Sequence, residues 1–141
     1  MFKLPTNALK IAALLVLPFA SLAQDQKPEL PYNTKLIRQQ PEVGSGEPTF
    51  KPSSEIRGMK SLTDGTVYMV STDNQSLSAY QGSRLVWRTN VVNSCPTIMG
   101  QRTIQKVTLS SKTIFVRVGD RTFAEVNAAT GKITVSDVQK G

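Results

Sequence analysis

Cys95 is the only cysteine of this 141-residue chain, and the chain contains no histidine. That pair of facts removes imidazole general bases, Ser-His-Asp and Cys-His pairs, and every zinc site that uses histidine. It also removes an internal disulfide, a Cys-only zinc site and a CxxC redox pair. Cys95 itself, in Val91-Val92-Asn93-Ser94-Cys95-Pro96, has two readings. It is a thiol for redox chemistry or intermolecular pairing, or it is a small buried side chain. No basic residue lies closer in sequence than Arg88 to lower its pKa, which favours the second reading.

The carboxylates of the C-terminal part are Asp64, Asp73, Asp120, Glu125 and Asp137. Two of them brought together would make a small carboxylate-dependent hydrolase. Against this, Asp64-Gly65, Asp73-Asn74 and Gly119-Asp120 are turn sequences, where Asp is favoured for bonding to its own backbone. The dense oxygen-ligand spacing of calcium loops is missing. The sequence therefore predicts no catalytic residue, no metal ligand and no cofactor.

Cations carry more information. Residues 56–141 hold eleven Lys and Arg against five acids, or +6, whereas residues 24–55 hold four against five, or −1. Arg84 and Arg88 are an even number of residues apart, as are Arg117 and Arg121. Each pair falls on one face of a strand if that strand runs uninterrupted. These four arginines are the candidate contacts for an anion, such as the sulfate or phosphate groups of an acidic envelope glycan. Basic residues interleaved with aromatics, as single-strand nucleic-acid binders use, are absent, so no nucleic acid is expected.

The elements that position these residues come in two copies. Leu62 recurs as Leu109, Tyr68 as Phe115, Leu77 as Phe123 and Trp87 as Val135, at offsets of 47, 47, 46 and 48 residues. Each copy, 56–92 and 104–138, reads as about four short strands separated by turns. No segment carries helical periodicity. Val67-Tyr68-Met69-Val70 and Ile114-Phe115-Val116 are apolar at consecutive positions, which predicts strands covered on both faces. The fold class is all-β, with two repeated antiparallel units or, alternatively, a small β-sandwich.

Asp64-Gly65, Val67-Tyr68, Leu77, Ala79 and Trp87 in the first copy resemble a blade of the quinoprotein-type β-propellers. In the second copy Ile114-Phe115, Val126-Asn127 and Thr130-Gly131-Lys132 match more loosely, and Val135 replaces the tryptophan. The resemblance covers residues 57–141 and implies blade-like sheets, without quinone chemistry. Propellers close with roughly four to eight blades, and this chain has two. Either several chains complete one ring, or the two sheets pack on each other.

Upstream, Lys3 and Lys10 precede the apolar run 11–20, and Ser21-Leu22-Ala23 offers small residues before Gln24. This is the pattern of a secretory signal peptide, residues 1–23, which places the mature chain in the periplasm or outside the cell. Thirteen residues broken by Pro18 fall short of the roughly 20 that span a bilayer, so no transmembrane segment remains after cleavage. Residues 24–55 hold five of the eight prolines and read as a mobile linker, with Leu36, Ile37 and Phe50 able to lie across a sheet. The expected function is a non-enzymatic module for a protein partner or self-association, because two blade-like units leave sheet faces and edges to be covered.

Overall fold

The computed structural model describes residues 29–138; the expected leader, 1–23, lies outside them. Ten strands form two five-stranded sheets. The first contains β1 (Ile37–Gln39), β3 (Gly58–Lys60), β4 (Val67–Val70), β5 (Ser76–Gln81) and β6 (Arg84–Asn90) in that order. The second contains β10 (Ile133–Val138), β9 (Thr122–Asn127), β8 (Thr113–Val118), β7 (Ile104–Leu109) and β2 (Thr49–Phe50). Each repeat is thus a four-stranded antiparallel meander, β3–β6 and β7–β10, extended at one edge by a short strand from the upstream segment.

Turn chemistry ends the strands where the sequence predicts. The Asp64 carboxylate accepts from the backbone N–H of Thr66 at 3.0 Å, and that of Asp73 accepts from Gln75 at 3.1 Å. Asn74 adopts a φ of +60°, a left-handed conformation that Asn tolerates better than most residues. Between the units there is one element that hydrophobic periodicity does not reveal, a helical turn at Val91–Ser94. Asn90 caps it by accepting from Asn93 N, and Val91 and Val92 are buried. One turn is too short to show a period.

The core is a single cluster between the sheets. Met59, Tyr68, Val70, Leu77 and Trp87 enter it from the first sheet, and Val107, Ile114, Val116 and Val126 from the second. Equivalent positions of the repeats face opposite ways. Tyr68 and Leu77 are buried in the core, whereas their counterparts Phe115 and Phe123 are exposed at 41% and 37%. Conversely Ile114, Ala124 and Val126 point inward, whereas Val67, Ser78 and Tyr80 stand on the outward rows of β4 and β5. The front of the first sheet therefore packs on the back of the second, a head-to-tail relation. The expectation that both middle strands are covered on both faces holds for β4 and fails for β8, where Phe115 meets solvent.

The proline-rich stretch departs from a plain linker. Ile37–Gln39 pairs in parallel with Gly58–Lys60, and Thr49–Phe50 pairs antiparallel with Val107 and Thr108. Pro41 and Pro48 flank the exposed connection between these strands and interrupt neither ladder. Phe50 is buried in the core, and the ring of Tyr32 lies 5.3 Å from that of Tyr80 on the outward face of the first sheet. Gly58 permits the approach of β1: a Cβ there would stand 2.5 Å from the Tyr68 carbonyl and 2.9 Å from Ile37. Among the described residues no helix is long and apolar enough to cross a membrane.

Candidate functional site

Among the described residues, two concave regions bring polar or charged side chains from separate elements together. The larger, about 570 Å3, is a groove on the outward face of the first sheet, walled on one side by the upstream arm. Tyr32 and Leu36 come from the arm, Met69 from β4, Ser78 and Tyr80 from β5, Arg88 from β6, and Arg57 from the segment before β3. Alternation along β5 puts Ser78 and Tyr80 on this face, and the pairing of Ser78 with Arg88 places the arginine beside them.

Arg88 is held by two neutral hydroxyls. Its Nε donates to Ser78 Oγ at 2.9 Å, and its Nη2 donates to Tyr80 Oη at 3.2 Å. Those bonds use two of the five N–H donors of the guanidinium and orient its plane in the groove. Arg57 is engaged differently. Its Nη2 donates to the Val70 and Ser71 carbonyls and to Asn74 Oδ1, clamping the β4–β5 turn. Burial lowers its pKa from the ordinary arginine value, and the negative charge of Asp73 partly offsets that. Burial followed by the proximity of Tyr80 raises the pKa of Tyr32, so its phenol stays neutral at neutral pH. The groove holds two arginines, Arg57 and Arg88, and one carboxylate, Asp73, which bears on Arg57 at the β4–β5 turn. Arg88 is the cation held by hydroxyls, an arrangement suited to a carboxylate, sulfate or phosphate.

The second region is a cleft of about 480 Å3 where the sheets part at one end. Asp64 and Thr66 line it from the first unit and Lys112 and Asn127 from the second, with Tyr68 and Ala79 also on its walls. Asp64 is held below the usual carboxylate range, chiefly by the Thr66 backbone N–H. Tyr68 is raised above the usual phenol value, first by burial and then by the charge of Asp64. Asp64 and Asp73 both serve turns. Among the described residues no three His, Cys, Asp or Glu side chains gather as a metal site.

The four candidate arginines do not form one surface. A bulge separates Arg84 from Arg88, because Leu85 pairs with Tyr80 and Trp87 with Ala79, leaving Val86 as the extra residue. That residue inverts the alternation. Arg84 pairs with Gln81 on the inward row and donates to its Oε1 at 2.8 Å, whereas Arg88 faces outward. Arg117 and Arg121 are parted by the β8–β9 turn at Gly119, so Arg121 is not on the strand of Arg117. Arg117 lies on the outward face of the second sheet, in register with Lys106 and Phe123. Cys95 is free and buried, its thiol donating to the Val91 carbonyl, so it is packed inside and not presented to another chain. Tyr32 and Tyr80 escaped sequence reasoning as groove residues, since 48 positions separate them and only the path of the arm unites them.

Comparison of the chain with protein-family models, with curated proteins and with solved structures finds no match.

Proposed function

We propose that this chain is an exported, non-enzymatic β-repeat module that binds an anionic group, of the kind carried by an acidic glycan, in the groove between the arm and the first sheet. The observation that carries this reading is Arg88, whose guanidinium is fixed by Ser78 and Tyr80, both uncharged, on the wall of an open groove. An arginine neutralised by a carboxylate would have no such preference for an incoming anion. The commitment of Asp64 and Asp73 to turns supports a binding role over hydrolysis.

Calorimetric titration of the protein with a sulfated oligosaccharide, its desulfated counterpart and free sulfate tests this. The sulfated sugar is expected to bind with an affinity that falls as salt rises. Arg88→Gln should weaken it roughly tenfold or more, the worth of a charged hydrogen bond. Equal binding of the desulfated sugar, or an Arg88→Gln variant that binds as well as wild type, would sink the reading. Free sulfate binding as tightly as the sugar would assign the groove to a small anion instead.

A further inference from the structure

The head-to-tail packing of the units leaves two ends, and they are treated differently. The arm lies over one side of the back of the first sheet, through Tyr32 over Tyr80 and Ile37 beside Gly58, and leaves the groove beside it. The front of the second sheet has no such cover among the described residues. It presents Phe115 and Phe123, whose counterparts Tyr68 and Leu77 in the first unit are core residues. Position for position, this is a packing face without its packing partner. It also holds Arg117, whose Nε is buried without a hydrogen-bond partner.

We propose that this face docks on the same face of a second copy, giving a closed two-fold dimer. Two observations select this occupant. First, a head-to-tail stack would need the back of another first sheet, and the arm already lies there, so the free face is left to pair with itself. Second, two diagonal corners of the face carry opposite charges. Across β7, β8 and β9 the rows run Thr108–Phe115–Glu125 and Lys106–Arg117–Phe123. Glu125 and Lys106 stand at opposite corners with the β8 pair between them. A two-fold axis through the middle lays each glutamate over the second copy's lysine and encloses the phenyl rings. Three six-residue strands about 4.8 Å apart, widened by the short β2 and by β10, make a face roughly 20 Å on each side. Two such faces cover about 800 Å2 of sheet, below the roughly 1,200 Å2 of stable interfaces, so the dimer is weak and transient.

Sedimentation velocity over a range of about 10 μM to 1 mM reads this directly, the span in which an interface of that size is populated. Wild type is expected to pass from monomer to dimer and no further. Phe115→Glu should remain monomeric while keeping its circular dichroism spectrum, since the ring is partly exposed and outside the core. Glu125→Lys alone and Lys106→Glu alone should each weaken the dimer by roughly tenfold or more, as like charges then meet twice in each pair. An equimolar mixture of those two variants should restore it, because both contacts become complementary again. Three outcomes would overturn the proposal: a wild-type monomer throughout the range, a dimer that Phe115→Glu leaves intact, or growth beyond dimer, which is the signature of head-to-tail stacking.

Discussion

The indole N–H of Trp87, on the last strand of the first unit, donates to the carbonyl of Ala128 in the β9–β10 turn of the second, at 2.9 Å. This bond crosses the seam between the sheets. Beside it the Thr89 hydroxyl donates to the Gly131 carbonyl, and the chain at Gly131 runs so close to the indole that a Cβ would stand 2.5 Å from it. The seam therefore depends on a glycine with φ of +76° in one repeat and a tryptophan in the other.

Gly131→Ala should destabilise the protein by about 2–3 kcal/mol, since the methyl group meets both an unfavourable backbone conformation and the indole ring. Trp87→Phe should cost about 1–3 kcal/mol by leaving the Ala128 carbonyl without its donor. Urea denaturation of the two variants checks this. Midpoints unchanged from wild type would mean that the seam contributes nothing to stability.

Phe50→Ala should destabilise by about 3–5 kcal/mol, the range for removing a buried phenylalanine from a close-packed core. The site lies in a stretch whose composition reads as linker, so the size of the effect separates a docked strand from a passing tether. A loss near zero in the same urea experiment would show that β2 does not hold.

Acid should weaken the turns. Asp73 is held below the usual carboxylate range, first by the Ser71 hydroxyl and then by the Gln75 N–H, and Asp64 by the Thr66 N–H. A folded pKa below the unfolded one means that the contribution is fully present above the ordinary value of about 4 and is lost as pH falls through the lower folded values. Both groups are exposed, so the effect is modest. The urea midpoint of wild type should fall from pH 5 to pH 2, and the Asp64→Asn, Asp73→Asn double variant should fall less. Parallel acid limbs for the two proteins would refute this.

Much of the architecture was legible in residue order. The 46 to 48 residue offsets mark two units, each of which is a four-stranded meander. The Asp-Gly and Asp-Asn pairs mark turns because their side chains bond locally, within two residues, and need no distant partner. The isolated, buried Cys95 agrees with the absence of nearby cations in its sequence.

What the sequence could not specify was decided between residues far apart. In Val67-Tyr68-Met69-Val70 every position is apolar, so period-two alternation carries no preference for which row faces inward. Contact with the second sheet chose Tyr68 and Val70 in the first unit, and contact with the first sheet chose the opposite row in the second. The bulge at Val86 moved Arg88 to the face opposite Arg84, and a single inserted residue leaves no composition signal. Likewise β1 and β2 are two or three residues long, below the length at which alternation can be seen, and exist only because a longer strand offers them an edge. Local turn bonds and hydrophobic content were set by the sequence itself. The facing of each row, the seating of the arm and hence the groove around Arg88 were set by packing, because burial acts on whichever surfaces tertiary structure brings together.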